Sequence, residues 1–131
     1  MIRVFRDTLR VRNQEDALIF YIQKLGFEKR ADSPMGPNQR WVTVASRDDP
    51  VVELVFQPSD WFEGEERTRH EALIGKDPTI VFQVDDCRVS YEKISGLGVK
   101  FSTSPTVRPS GIESVGQDLY RNSLVFLQVA S

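Results

Sequence analysis

Apolar and polar positions along this chain follow one plan, and the plan is written twice. Ala17, Phe20, Tyr21 and Leu25 recur at i, i+3, i+4 and i+8 while Glu15, Gln23 and Lys24 fall off that line, which predicts a helix with a single apolar stripe. Cys87, Tyr91, Ile94 and Leu97 predict a second helix of the same kind. The approaches are alike too, since Val11-Arg12-Asn13-Gln14-Glu15-Asp16-Ala17 reappears in kind as Val84-Asp85-Asp86-Cys87-Arg88-Val89. Asn13 and Asp86 stand as N-caps, because a short side-chain oxygen accepts a hydrogen bond from an orphan amide of the first turn. Each helix closes on glycine, in Lys24-Leu25-Gly26-Phe27 and Gly96-Leu97-Gly98-Val99, and the chain re-enters as a strand.

Three strand-like runs follow each helix. In the first half they cover residues 27–31, 40–45 and 51–57, separated by Ser33-Pro34-Met35-Gly36-Pro37-Asn38 and by Asp48-Asp49-Pro50. In the second half they cover residues 99–102, 113–117 and 123–129. With a strand ahead of each helix the order is βαβββ, said twice. A module over residues 1–57, a charged connector over 58–78 and a module over 79–131 then make one domain. The class predicted is α+β. A lone small sheet cannot bury both faces, so the two modules are expected to pair into an open, curved sheet with helices outside and a cleft within.

Composition narrows the function. A chain of 131 residues with 40% hydrophobic and 27% charged residues reads as an ordinary globular domain, and it has no apolar run of membrane length. Arg3, Arg6 and Asp7 interrupt the start, where a secretory signal needs continuous apolar residues, so a cytoplasmic protein is expected. A net charge of -2 supplies no basic stripe, which argues against nucleic acid as a partner, as the apolar pattern argues against a membrane. The one cysteine, Cys87, excludes an internal disulfide and a Cys-based zinc site, and its place on the apolar stripe assigns it to packing. There is no Gly-x-Ser-x-Gly nucleophile motif, and Gly96-Leu97-Gly98 ends a helix rather than opening one, so it is no dinucleotide fingerprint.

The run Asn13-Gln14-Glu15-Asp16-Ala17-Leu18-Ile19-Phe20-Tyr21-Ile22-Gln23-Lys24-Leu25-Gly26-Phe27 resembles the opening helix of the glyoxalase/bleomycin-resistance/extradiol-dioxygenase group, the vicinal oxygen chelate superfamily. Val52-Glu53-Leu54-Val55-Phe56, Thr79-Ile80-Val81-Phe82-Gln83-Val84-Asp85-Asp86 and Leu97-Gly98-Val99 follow in the family order, so the resemblance spans nearly the whole chain. It implies a homodimer and, in metal-dependent relatives, four cleft side chains that hold one divalent ion acting as a Lewis acid. The positions matching those ligands are Arg6, Glu53, Thr79 and Val125. Arg6 has no lone pair to give, Val125 has no donor atom and Thr79 is a poor ligand, so only Glu53 suits a metal and none is expected. The family's last hairpin often reads Asp-Pro-Asp-Gly-Asn, whereas this chain has Asp118-Leu119-Tyr120-Arg121-Asn122.

Strand alternation assigns the faces. Arg6, Thr8 and Arg10, then Val51, Glu53 and Val55, then Thr79, Val81 and Gln83 share the cleft side. Leu9, Val11, Val52, Leu54, Phe56, Ile80, Phe82, Val84, Leu124 and Phe126 belong under the helices. The ligand-binding set is therefore Arg6, Arg10, Trp41, Glu53, Thr79, Gln83 and Val125, with Arg6 expected to pair with Glu53 where a metal sits in relatives. Arginine offers paired donors to a carboxylate or phosphate, and Trp41 offers an aromatic wall. A small, anionic ligand bound without metal is the leading reading. The rivals are a metal-dependent lyase, isomerase or dioxygenase with Glu53 as base or ligand, and an interaction module with a filled cleft. His70, the only histidine, reads as a surface residue of the connector. Trp61 and Phe62 lie in an arm that either reaches a neighbouring subunit or pins a loop to its own domain.

Overall fold

The computed structural model describes all 131 residues, and the chain divides into two compact units, Met1–Asp77 and Pro78–Ser131. Unit one runs β1 (Arg6–Val11), α1 (Gln14–Gln23), β2 (Glu28–Gly36), β3 (Gln39–Ala45) and β4 (Glu53–Pro58). It continues through a 3-10 turn (Ser59–Trp61) into α2 (Gly64–Ala72). Unit two runs β5 (Ile80–Gln83), α3 (Cys87–Gly96), β6 (Phe101–Arg108), β7 (Gly111–Gln117) and β8 (Ser123–Val129). The sheet orders are β1-β4-β3-β2 and β5-β8-β7-β6, with the first pair of each parallel and the others antiparallel. The repeat read from the sequence is thus repeated in topology: each helix carries the chain from the outer strand of its sheet toward a hairpin at the opposite side.

Both caps form as expected. Asn13 accepts from the Asp16 amide at 3.0 Å and Asp86 from the Val89 amide at 3.1 Å. Gly26 and Gly98 close their helices at φ of 74° and 96°, the left-handed region where a side chain is strained. Under α1 lie Leu9, Val11, Val42, Val44, Leu54 and Phe56, each no more than 5% exposed, and Tyr21 sets its ring 5.4 Å from that of Phe56. In unit two Cys87, Ile94, Val99, Leu124 and Phe126 are buried, and Cys87 hydrogen-bonds Ser114 and the Phe126 carbonyl inside the core. Alternation therefore assigned the helix-side face correctly. Val52 is the exception: it is 39% exposed, because the strand starts at Glu53 rather than Val51.

Other boundaries differ from the sequence reading as well. Ser33 to Gly36 continues β2, and the turn contracts to Pro37 and Asn38, with Asn38 at φ 61°. β6 runs on to Arg108. The segment read as a connector, residues 58–78, carries a helix, and through Asp77 it clusters with the first unit. α2 buries no residue, so it has no apolar stripe for periodicity to find. Its support is electrostatic: Glu65 and Glu66 in the first turn and Arg69 in the last oppose the helix dipole. Arg67 faces Glu71 at 3.5 Å and Arg69 faces Glu66 at 3.6 Å.

The last hairpin keeps a closed turn without the family's proline and glycine. Asp118 accepts from the Tyr120 and Asn122 amides at 2.8 and 2.9 Å and from the Asn122 side chain at 2.9 Å. Both residues are buried, so the carboxylate–amide pair, rather than backbone freedom, holds Arg121 at φ 69°.

Candidate functional site

The candidate ligand face of unit one is fixed by register. Arg6 lies opposite Glu53 and Glu53 opposite Ala45, while Thr8, Val55 and Thr43 form the next row. Alternation along β3 adds Trp41 to the same face, turned away from α1. Thr43 is fully buried and its hydroxyl donates to Glu53 Oε1 at 2.5 Å. A donor aimed at a carboxylate fixes its direction. The expected Arg6–Glu53 ion pair does not form. Arg6 instead places its guanidinium carbon 5.5 Å from the Trp41 ring centre and 4.4 Å from that of Phe5. Flat, weakly hydrated guanidinium gains from an aromatic face, and Glu53 already has a closer partner in Thr43.

Arg10 is also committed elsewhere. Its Nη1 donates to Asp77 Oδ1 at 2.7 Å, its backbone amide donates to Asp77 Oδ2 at 2.9 Å, and its Nε donates to His70 Nδ1 at 3.3 Å. Asp77 is only 4% exposed in its side chain, so this is a hub rather than a free anion receptor. His70 stacks face to face on Phe62, with ring centres 3.8 Å apart and planes within 3°. His70 is half-exposed, as read from the sequence, and that contact holds its ring in place. Trp61 stacks on Trp41 at 6.0 Å and 13°, so the arm aromatics pin to their own unit. The indole Nε1 of Trp61 is shut off from solvent with no hydrogen-bond partner, a loss of about 1–3 kcal/mol for a buried donor.

The remaining candidates belong to unit two. Val125 pairs in register with Val81, on the face away from α3, and Gln83 pairs with Leu127. Thr79 precedes β5, and Thr79 and Gln83 are exposed while Val125 is half-buried. The structure therefore gathers Arg6, Trp41, Thr43 and Glu53 on one sheet face and adds Trp61, Phe62 and His70. The sequence offered little signal for these last three beyond aromatics amid charge. Their partners are distant in sequence, and α2, which carries His70, has no periodicity.

The donor set does not suit a divalent ion. Nowhere do three His, Cys, Asp or Glu side chains come together, and Glu53, the one carboxylate at a matching position, has a permanent cation opposite it in the register. No helix is long and apolar enough to cross a membrane.

The model of the glyoxalase/bleomycin resistance protein/dioxygenase superfamily matches residues 3–113. YurT, an uncharacterized protein of Bacillus subtilis (strain 168), is 34% identical over 119 residues, covering 90% of this chain and 92% of its own. The crystal structure of UcmS2 superposes with a TM-score of 0.87 at 34% identity, over 97% of this chain and 98% of that one. That of TnmS3, an antibiotic binding protein from Streptomyces sp. CB03234, does so with a TM-score of 0.82 at 25% identity, over 99% and 98%. Repeat, topology and sequence agree, and this chain belongs to the glyoxalase/bleomycin resistance protein/dioxygenase superfamily.

Proposed function

We propose that this protein binds a small, flat, anionic molecule on the Trp41 face of its first sheet, without metal and without converting it. The observation that carries this reading is the Arg6 guanidinium beside the Trp41 ring. A cation and an aromatic plane together suit a conjugated ring bearing a carboxylate or similar oxygens. The similarity to TnmS3, an antibiotic binding protein, supports the same class of activity. Arg10, held by Asp77 and His70, contributes position rather than charge. A homodimer is part of the proposal, as the family resemblance implies.

The test uses 2-naphthoate, a plain flat bicycle with an anionic oxygen pair, titrated by calorimetry. Trp41→Ala is expected to weaken binding about tenfold or more, the scale of one lost aromatic contact with its cation. Equal affinity in variant and parent would move the ligand off this face. A protein freed of metal by chelator and dialysis should bind as the untreated protein does, and restoration of affinity by an added divalent ion would speak for the metal-dependent reading.

A second reading gives Glu53 a catalytic part, favoured by its half-buried carboxylate, whose direction the Thr43 hydroxyl fixes. Such a group is a competent general base if a substrate proton comes within hydrogen-bond reach. In the binding reading Glu53→Gln changes affinity little. In the catalytic reading it abolishes turnover and spares binding.

A further inference from the structure

Residues 59–77 lie against the ligand face through Trp61 and are loosely fastened to the rest of their unit. α2 buries none of its residues. A cavity of about 440 Å³ separates it from the sheet end, walled by Arg12, Pro58 and Ser59 and by Arg67, Glu71 and Ile74. Gly64 and Gly75 bracket α2 at φ of 61° and 83°. Three attachments to the sheet stand out. They are the Trp61 ring on Trp41, the Gln39 side chain, which donates to the Asp60 carbonyl at 3.2 Å, and Arg10, which holds Asp77 and His70. Close-packed rings meet at about 3.5–4 Å, so a third ring between two indoles needs planes about 7 Å apart, more than the 6.0 Å between these ring centres. In this arrangement Trp61 covers the side of Trp41 against which it packs, and its own Nε1 is left unsatisfied.

We propose that residues 59–77 form a gate that Trp61 closes on Trp41 and that Arg10 latches through Asp77 and His70. The gate opens to admit the ligand, and Trp61 then becomes the second wall, its Nε1 donating to an acceptor at the ring edge. The ligand class is thereby narrowed to planar aromatics with a hydrogen-bond acceptor on the rim. This second half rests on the binding reading above, whereas the gate itself is testable with no ligand present.

Trp41 and Trp61 are the only tryptophans, so every tryptophan signal comes from this stack. The wild-type protein should show slow acrylamide quenching. Asp77→Asn should raise the quenching constant by about twofold or more, with faster amide exchange across α2, the behaviour of a locally released segment. His70→Ala removes the other arm of the latch and should do the same to a lesser degree, which keeps the test open if Asp77→Asn fails to fold. Folded latch variants with unchanged quenching and exchange would overturn the gate. If 2-naphthoate fails to bind at all, the ligand reading falls while the ligand-free measurements still decide the gate.

Discussion

Asp32 shows how one side chain on this scaffold sets a pH response. Arg40 donates to both its oxygens at 3.0 and 2.7 Å and Lys29 adds a bond at 3.0 Å, so its carboxyl is held at about 2 rather than 3.8. Arg40, which also grips Glu15 at 2.7 Å, is held the more firmly cationic by the same bonds. The folded value lies below the unfolded one, so the stabilisation is complete above about pH 4 and drains away as pH falls through 2. Denaturant midpoints taken across that window should fall steeply for the parent and less so for Asp32→Asn. Identical slopes would show that the pair is too screened by solvent to matter. A backbone prediction belongs here as well. A Cβ at Gly111 would sit 2.0 Å from the Gln128 carbonyl oxygen at φ 141°, so Gly111→Ala should cost about 2 kcal/mol or more, read as a lowered midpoint of thermal unfolding. At this scale the sequence was a partial guide. Period-two alternation placed Arg6 and Glu53 on one face, as β1–β4 register shows, yet it could not say where long side chains turn. Arg6 turned to an aromatic ring and Arg10 to Asp77, 67 residues away, because local spacing carries no information on contacts so distant.

At the scale of elements, legibility followed burial. α1 and α3 were visible because each buries a stripe and each begins with an Asx cap whose bond the structure forms. β3 and β8 were visible because they carry alternating or continuous apolar residues that end beneath a helix. α2 was invisible because charge pairs and dipole compensation, not burial, hold it. The same absence of buried apolar surface makes it the natural moving part, since opening it exposes little to water. The β2–β3 hairpin was misplaced for a different reason. Pro34 and Gly36 read as turn-formers, but they occupy a strand with register shifts at the sheet's outer side, where a missing amide is tolerated. A proline at an edge is therefore a weaker stop signal than the sequence reading allowed.

At the scale of the molecule, two copies of one βαβββ plan have diverged in what they carry. The first bears cation, carboxylate and stacked indoles on its open face; the second presents Val81, 59% exposed, in register with Val125. Family membership was legible from the helix signature and the order of the strands. The expectation of binding without metal rests on chemistry alone, the mismatch of Arg6, Thr79 and Val125 with a donor set. The claim that joins these scales is that the Trp41 face receives a flat anionic ligand with Trp61 as its partner wall. The most direct test is the proton–nitrogen NMR correlation spectrum of the full chain during titration with 2-naphthoate, which contains two indole resonances. Both should move with one saturation curve, and the Trp61 signal should move the further as its Nε1 gains an acceptor. Saturation that shifts other resonances and leaves both indoles in place would contradict the account.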